Sequence, residues 1–389
     1  MQLVICSKST WDPAIRREHA VARSAAREGE VVVFIERPLD VRALSGGRLR
    51  RGGAPGAGAL RAAWLRGALA RPRTAEPGIE VVAQSTLVPG HRSAPAQALD
   101  AARLLRTLRT VPGLRYSTVV ATQPWQWPAV ARAPAARRVF DCADDWRLLI
   151  PERAGAISSL HARIAREADA LILASPALAG EFAGARVAVV RNGADPALLA
   201  APRSPVPPER RLVYAGTLSE RFDAPLLGEV LERLPGWTAE LYGQCQYAGH
   251  GEAPAPELER VLDRHRGRLR WCGPVPRSAL AAALDRGRVL IAPHRAALAR
   301  GQDSMKLYDY AARRRPIVAT PGALGDPDQI AGAGVTEAGG AESFAAAIAS
   351  AAEVAAQGGA SEAWLADSSW ESRWRAWRSA AIGSGDGRP

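Results

Sequence analysis

The stretch RVLIAPHRAALARGQDSMKLYDYAARRRPIVAT (288–320) contains the pattern that decides the fold of this chain. It begins with the apolar run RVLIAP (288–293) and ends with PIVAT (316–320), and both runs have the composition of buried strands. Between them a helix can begin after Asp303 or Ser304, which are both good N-cap residues, and the proline of the last run stops it. A strand, a helix and a second strand in this order predict a parallel β-α-β unit.

The same alternation of apolar runs with Ala/Leu/Arg-rich stretches continues in both directions. Towards the N-terminus the candidate strands form one set, at 3–6, 31–35, 79–83, 118–122, 137–141, 170–174 and 187–191. A second set surrounds the opening stretch, at 211–216, 239–243, 268–273, 288–293, 316–320 and 334–338. The proline-rich segment APRSPVPPER (201–210) separates the two sets and has the composition of an extended linker. We therefore predict an α/β fold with two Rossmann-like domains, residues 1–200 and residues 208–365.

Length and composition agree with two globular domains. A chain of 389 residues is too long for one ordinary core, and 47% hydrophobic with 23% charged residues excludes a wholly disordered protein. No apolar stretch approaches the ~18 residues of a spanning helix, and the N-terminus lacks a signal-peptide pattern, so we expect a cytoplasmic protein. The four cysteines form no CxxC pair, which argues against a zinc site.

The helix after the strand at 288–293 is the first candidate for a binding site. In open α/β domains, ligands gather outside the carboxyl ends of strands, where a helix N-terminus offers backbone amides to phosphate. Here those amides belong to Ser304 and Met305. Lys306 and Asp309 follow on one helix face, where the lysine suits a diphosphate and the aspartate suits ribose hydroxyls. The alternative is a solvated Lys/Asp pair.

A second candidate is YAGTLSERFD (214–223), which follows the first strand of the second set. Gly216 supplies a turn at the strand end, and Arg221 can hold a diphosphate through charge-assisted hydrogen bonds. The alternative is an ordinary exposed arginine in a basic chain.

Taken in order, nine segments of this chain resemble the GT-B glycosyltransferases of family 4, in particular the teichuronic-acid and exopolysaccharide enzymes. The segments are STWDPAIRREHAVARSAAREGEVVVFIERP (9–38), LVPGHR (87–92), RVFDCADDW (138–146), EADALILASPALA (167–179), VVRNGAD (189–195), YAGTLSERFD (214–223), CGPVP (272–276), MKLYDYAARRRPIVAT (305–320) and SSWESR (368–373). The resemblance implies two Rossmann-like domains facing across a cleft, with the sugar nucleotide held by the C-terminal domain. It also implies that the last helix, in residues 366–389, crosses back onto the N-terminal domain.

The resemblance implies roles for single residues of the C-terminal domain. The family places glutamates where this chain has Gly301 and Asp309, so a shorter ribose-binding carboxylate remains. Its usual arginine falls at Thr217, which leaves Arg221 in the place of the phosphate-binding lysine. The backbone near Val275 matches the segment that reads the edge of the base. Arg221 and Lys306 are then the expected catalytic cations, and Gly216 lines the donor site.

In the first domain, the loop after the first strand contains Trp11 and Asp12, which we expect on the acceptor side. It leads into a helix that carries His19 near its start, and this histidine is a candidate catalytic residue. The alternative for His19 is a helix histidine without a catalytic role. QPWQWP (123–128) also follows a strand, and its Trp125 can form an aromatic wall for an acceptor ring or pack in the core.

Three carboxylates, Asp141, Asp144 and Asp145, lie together at the end of a strand. Oxygen ligands of this kind suit Mg²⁺ or Mn²⁺. We prefer acceptor binding at Asp145 and a catalytic role, such as that of a base, for Asp144, because the enzymes resembled here use basic residues and helix dipoles in place of a divalent ion. No metal site is therefore expected, and one of these aspartates can instead cap a helix.

The charge of the chain is strongly positive, with 51 Lys+Arg against 39 Asp+Glu and a net charge of +12, although an arginine-rich composition alone explains part of it. The run 41–73 contains eight arginines and no acidic residue, and its second half has the amphipathic pattern of a membrane-surface helix. This pattern predicts peripheral contact with anionic lipid at the inner membrane face. The alternative is a mobile insertion that borders the acceptor site.

Together these observations predict a cytoplasmic, bacterial glycosyltransferase of polysaccharide biosynthesis. The expected reaction moves a sugar, expected to be a hexose, from a nucleoside-diphosphate sugar to a hydroxyl acceptor, and the resemblance to family 4 implies retention of configuration. The donor is a co-substrate, and no cofactor and no nucleic acid are expected. Two other functions fit parts of the sequence. One is a sugar-nucleotide epimerase on the same fold, and the other is a basic nucleic-acid-binding protein, which lacks RRM, KH and zinc-finger signatures.

Overall fold

The computed structural model of the chain describes residues 1–11, 16–40, 62, 64–65, 67, 71–205, 207, 209–299, 303–354 and 359–383. The chain divides into two compact units, one formed by Met1–Arg191 with Trp370–Pro389 and the other by Asn192–Ser369. The division lies upstream of the proline-rich segment 201–210. That segment runs along the second unit, where Arg313 donates to the carbonyl of Pro202 at 2.7 Å. Each unit is an α/β domain, which confirms the predicted fold class.

The first unit is built on an eight-stranded sheet of its described residues, in the order β10-β9-β8-β7-β1-β2-β5-β4. Every neighbouring pair is parallel except β4–β5. The first-unit strands, including a separate β3–β6 pair, are β1 (Gln2–Cys6), β2 (Val31–Ile35), β3 (Leu39–Asp40), β4 (Pro72–Glu76), β5 (Ile79–Val82), β6 (Ser85–Thr86), β7 (Ser117–Ala121), β8 (Arg137–Cys142), β9 (Ala170–Leu173) and β10 (Ala188–Val189). The seven predicted strands are all present, because runs such as LVIC are apolar on both faces and only a covered parallel sheet buries both.

Helices cover this sheet, and the last one comes from the end of the chain. They are α1 (Arg17–Arg27), α2 (Ala94–Thr110), α3 (Trp127–Val130), α4 (Trp146–Leu149), α5 (Ala154–Glu167) and, from the C-terminal segment, α15 (Trp370–Ile382). Trp370, Trp374 and Trp377 of α15 are buried, and the indole of Trp377 donates to Asp141 at 3.1 Å. These three tryptophans pack the helix onto the first unit, which is where the family resemblance implied that the last helix would lie. None of the helices in the described ranges has the length and apolar character needed to cross a membrane.

The second unit contains a fully parallel six-stranded sheet in the order β13-β12-β11-β14-β15-β16. Its strands are β11 (Arg211–Ala215), β12 (Thr238–Tyr242), β13 (Leu269–Gly273), β14 (Val289–Ala292), β15 (Ile317–Ala319) and β16 (Val335–Glu337). Its helices are α6 (Pro196–Ala200), α7 (Ala224–Arg233), α8 (Pro256–Arg264), α9 (Leu280–Asp285), α10 (Ala296–Ala299), α11 (Met305–Ala311), α12 (Pro327–Ile330), α13 (Ala341–Glu353) and α14 (Glu362–Asp367).

Strand order locates the ligand-binding edge of this unit. The order of its six strands is that of the Rossmann fold, with the reversal between β11 and β14. Helices on either side of such a reversal turn to opposite faces of the sheet, so a crevice opens at the carboxyl ends of the two strands. In the first unit the same reversal lies between β1 and β7.

Candidate functional site

Three segments meet where β11 and β14 end in the second unit. Gly216 follows β11, His294 follows β14 after a proline, and helix α11 begins with Met305. Tyr214 of β11 links two of these segments, because its hydroxyl lies 3.3 Å from Nε2 of His294. This edge contains Gly216 and Lys306, two of the candidate donor residues that the sequence pattern predicted.

Lys306 is the strongest candidate for binding an anion at this edge. Its side chain passes directly over Gly216, so closely that a Cβ on that glycine would lie 1.9 Å from Cε of the lysine. Its Nζ lies 5.7 Å from the ring centroid of Tyr214, and within the described residues Lys306 makes no ion pair. Burial, and then the positive charge of Arg221, lower the pKa of Lys306 to about 8. A half-buried cation that makes no ion pair within the described residues is suited to a phosphate group.

Arg221 and His294 complete the electrostatics around Lys306. Arg221 is half-buried on the loop after β11, and its charge contributes to the lowered pKa of both other groups. Burial, with the charges of Lys306 and Arg221, lowers the pKa of His294 to about 3, so its imidazole is neutral at ordinary pH. The site therefore brings two cations and one neutral histidine together.

Asp309 has a partner that the sequence pattern did not predict. Its two carboxylate oxygens accept hydrogen bonds from Nη1 and Nη2 of Arg277, at 2.8 and 2.7 Å. The Nε of the same guanidinium donates to Asp195 at 2.7 Å. Burial raises the pKa of Asp309, and Arg277 opposes that shift. Lys306 and Asp309 are thus not an ion pair with each other, and the alternative of a solvated pair on the helix surface does not describe them.

The other predicted donor residues have different surroundings. Ser304 occupies the N-cap position of α11 without a side-chain cap bond, and its amide donates to Leu324 at 3.1 Å, so that amide is already engaged. The carbonyl of Thr217 accepts from Tyr214 at 2.9 Å. Val275 is half-buried in the loop after β13. Gly301 lies outside the described residues.

In the first unit, the loop after β1 meets the segment after β8. Lys8 forms an ion pair with Asp144, and Glu18 lies buried beside it, accepting from Ser9 at 2.6 Å. Burial lowers the pKa of Lys8, but the two carboxylates outweigh it, so the net shift is upward. Asp144 remains 30% exposed, which leaves one of its faces open to solvent. The predicted catalytic carboxylate is therefore held by a lysine.

The two neighbouring aspartates are engaged within the fold. Asp141 is buried and accepts from Nε of Arg17 at 2.9 and 3.1 Å. Asp145, predicted on the acceptor side, caps α4 by accepting from the amides of Arg147 and Leu148 at 3.1 and 3.0 Å. In the described part of the chain, no group of three His, Cys, Asp or Glu side chains is arranged to hold a metal ion.

His19 and Trp11 lie in the core of the first unit and not at its surface. His19 is fully buried, with Nδ1 3.1 Å from the amide of Arg16 and Nε2 2.9 Å from the carbonyl of Thr10. Its ring stacks on Phe34, and Trp11 packs edge-on against the same phenylalanine. A substrate contact by either residue would require this loop to open. Asp12 lies outside the described residues.

Trp125 is half-buried after β7, the strand beside β1 at the reversal. Its ring contacts Trp146 edge-on at a centroid distance of 4.9 Å and His91 at 5.6 Å. Trp125 therefore packs partly against the core and keeps part of its ring exposed, so its role as an aromatic wall for an acceptor stays a prediction. The arginine-rich run 41–73 lies largely outside the described residues.

Two functional candidates were missed by the sequence pattern. Arg277 begins a 3-10 turn two residues after Val275, and its only sequence signal is a basic residue in a loop that follows a strand carboxyl end. Lys8 is one of only two lysines in the chain and lies two residues after the end of β1, which is a signal present in the sequence. Neither signal identifies the partner, which comes from a distant part of the chain.

Comparison with known proteins agrees with the geometry of the second unit. Residues 209–353 match the family described as glycosyl transferases group 1. No curated protein matches the chain.

Solved structures match over 98% of the chain at low sequence identity. Sucrose-phosphate synthase from Thermosynechococcus elongatus is 13% identical over 94% of its own chain, with a TM-score of 0.65. Anabaena Alr3699/HepE in complex with UDP is 16% identical over 95%, with a TM-score of 0.60. A TarM variant of S. aureus in complex with fondaparinux, alpha-GlcNAc-glycerol and UDP is 9% identical over 100%, with a TM-score of 0.66. At these identities the likeness concerns the fold.

Proposed function

Because the chain has the GT-B fold and its residues 209–353 match the group 1 glycosyl transferases, we propose that it moves a sugar from a nucleoside-diphosphate sugar to a hydroxyl acceptor. One observation carries this proposal. Lys306 makes no ion pair among the described residues, and it lies beside Arg221 where β11 and β14 end. At this edge, a lysine without an ion pair beside a second cation is suited to the diphosphate of such a donor.

The chemistry of transfer explains why cations are needed there. When the bond between the sugar and the diphosphate breaks, negative charge grows on the departing phosphate oxygen. Groups that are already in place stabilise this charge without reorganisation, and this lowers the barrier of the chemical step. Burial and the positive charge of Arg221 lower the pKa of Lys306, so both oppose its charged form in the free protein. A bound diphosphate would supply the missing negative charge.

The remaining donor contacts are proposed for Asp309 and the loop after β13. Asp309 would accept hydrogen bonds from the ribose hydroxyls, and the backbone near Val275 would contact the base. The amide of Met305 adds a donor at the start of α11. The neutral imidazole of His294 has its Nε2 beside Tyr214, so it adds no charge to the site.

On the acceptor side, we assign a hydroxyl-binding role to Asp144, which is held by Lys8 and partly exposed. Trp125 would contact a ring of the acceptor.

Retention of anomeric configuration, in which the leaving group departs from the same face of the sugar that the acceptor attacks, is proposed from the resemblance to family 4. Activity without a divalent ion is proposed because Lys306 and Arg221 would neutralise the leaving group. EDTA is then expected to leave activity largely intact, and rescue of lost activity by Mn²⁺ would contradict this.

The test compares the only two lysines of the chain. A panel of nucleoside-diphosphate sugars is screened for thermal stabilisation of wild type, Lys306→Ala and Lys8→Ala. We expect Lys306→Ala to lose the stabilisation given by the best donor, and Lys8→Ala to keep it because Lys8 belongs to the other unit.

Product analysis with that donor then identifies the reaction. Transfer that depends on an added hydroxyl acceptor supports the proposal. Conversion of the donor to an isomeric sugar nucleotide without acceptor would instead identify an epimerase. Equal stabilisation of both lysine variants would show that Lys306 does not bind the donor.

A further inference from the structure

Arg277 lies between two carboxylates of the second unit that are far apart in sequence. It donates from Nε to Asp195 at 2.7 Å and from Nη1 and Nη2 to the two oxygens of Asp309. Asp195 is itself fixed, because its other oxygen accepts from the amide of Ala197 at 2.9 Å and caps α6. The carboxylate of Asp309 is therefore held in one orientation through a chain of charged hydrogen bonds that ends at a helix cap.

Burial makes this support necessary. The side chain of Asp309 is only 13% exposed and that of Asp195 only 6% exposed. A carboxylate placed there without a cation would lose most of its hydration and would tend to take up a proton. Arg277 opposes that tendency, while its own side chain remains 27% exposed. The planar guanidinium also fixes the carboxylate plane, which a lysine would not do.

The number of hydrogen-bonding positions on Asp309 fits a diol. An ionised carboxylate has about four lone-pair positions, and a bidentate arginine uses one on each oxygen. Two positions remain, one per oxygen, and the two adjacent hydroxyls of a ribose can fill them. Both oxygens are then occupied on one side by the guanidinium and on the other by the sugar.

We propose that Arg277 is a positioning residue that orients Asp309 towards the ribose hydroxyls of the donor and thereby makes the site select ribonucleotides over 2′-deoxyribonucleotides. This inference rests on the proposed function, which assigns Asp309 to the ribose. Arg277 acts through Asp309 and need not touch the donor. Asp195 fixes the far side of the guanidinium, so it contributes to the same selection.

The experiment measures binding of UDP, GDP and their 2′-deoxy counterparts by calorimetry, and it continues with the base that binds more tightly. In the wild type we expect the ribonucleotide to bind roughly tenfold or more tightly, because a hydrogen bond to a charged group is lost in the deoxy form. Arg277→Gln should reduce that ratio to near one, mainly by weakening the ribonucleotide. Arg277→Lys and Asp195→Asn should give intermediate ratios.

A dependence on pH separates positioning from a merely structural role. Without Arg277, the buried carboxyl of Asp309 should take up a proton more readily, so the ribose preference of Arg277→Gln should grow as pH rises. Wild type should show a smaller change. Asp309→Asn should have no preference at any pH, and adding Arg277→Gln to it should cause no further loss, because both changes remove one interaction.

The possible failures are distinguishable. If the wild type does not distinguish the two sugars, then Asp309 does not bind ribose, and that part of the proposed function is wrong. If wild type discriminates, Asp309→Asn does not, and folded Arg277→Gln still does at every pH, then the inference about Arg277 is wrong and the assignment of Asp309 stands. The inference about Arg277 is also wrong if Arg277→Gln changes the preference between UDP and GDP but leaves the ribose preference unchanged. If Arg277→Gln does not fold, the same ratio of ribonucleotide to 2′-deoxyribonucleotide affinity is measured for Arg277→Lys and Asp195→Asn. An unchanged ratio in both variants would contradict the inference.

Discussion

Lys306 and Asp309 lie on one helix, yet the structure gives them different surroundings. Lys306 makes no ion pair among the described residues, whereas Asp309 is held by Arg277. The first would meet charge that grows as the donor bond breaks, and the second would meet ribose hydroxyls that do not change. We therefore expect Lys306→Ala to lower kcat by roughly 10² to 10³ and Asp309→Asn mainly to raise the donor KM. Steady-state kinetics on folded variants measures both.

An exposed carboxylate serves as the control for this pair. Asp263 is 71% exposed and forms an ion pair three residues along the chain with Arg266. Asp263→Asn should leave both constants unchanged, because such exposed ion pairs contribute little to stability and Asp263 belongs to no part of the proposed donor site. If Lys306→Ala behaved like Asp263→Asn, Lys306 would have no part in the reaction.

The lowered pKa of Lys306 also predicts a pH dependence. The free protein loses the ammonium proton as pH rises through about 8, well below the usual range for lysine. Since the charged form binds the diphosphate, kcat/KM should fall about tenfold per pH unit above that value. Lys306→Arg keeps its charge at high pH, so its profile should remain flat there. An alkaline decrease that is the same in both proteins would assign the titration to another group.

At the scale of elements, the junction between β11 and α11 depends on one glycine. An added Cβ at Gly216 would lie 1.9 Å from Cε of Lys306, so Gly216→Ala must push the lysine aside. Because the flexible side chain of Lys306 can move, we expect only a modest fall in Tm. That fall includes the strain of an alanine in the backbone conformation of Gly216 (φ +156°). Donor binding should weaken much more, since the displaced ammonium no longer faces the sheet edge. Differential scanning calorimetry with and without donor measures both effects.

Gly339 provides the matched control within the same unit. A Cβ there would meet only the ring of Pro321, at 4.0 Å, which is an ordinary contact. Gly339→Ala should leave donor binding unchanged. If Gly216→Ala retained full donor affinity in a folded protein, the close approach of Lys306 to β11 would not matter for binding.

At the scale of the whole molecule, the net charge of +12 favours binding of the protein to an anionic membrane surface. The run 41–73 has no acidic residue, and its sequence predicts association with anionic membranes that weakens as salt rises. Co-sedimentation with vesicles of phosphatidylcholine and phosphatidylserine tests this. A variant with Arg48, Arg50 and Arg51 changed to serine should bind less than wild type.

The control removes the same charge from another part of the chain. Arg260, Arg264 and Arg266 are exposed on or next to α8, and changing them to serine lowers the net charge equally. If both triple variants lose binding to the same extent, total charge and not the run explains it. If neither loses binding, the hypothesis of a membrane contact in this run is wrong.

The sequence by itself determined the parallel strands of both sheets and the strand ends where the candidate donor site is proposed. Runs such as RLVYAG (211–216) and RVLIAP (288–293) are apolar on both faces, and only a covered parallel strand buries both. The helix that starts near Ser304 was predicted from N-cap and proline signals in the sequence, and it forms although Ser304 makes no side-chain cap bond. These features depend on short stretches of chain, and for that reason they can be predicted without knowing what packs against them.

Only the tertiary structure decided which charged groups meet. Arg277 joins Asp195 to Asp309, and Lys8 pairs with Asp144, across separations that no local pattern encodes. Burial was decided in the same way: His19 is a helix residue whose exposure depends on Phe34 of a neighbouring strand. A side chain's partner and its solvation are set by where distant segments cross, because charge pairing and desolvation act through space and not along the chain.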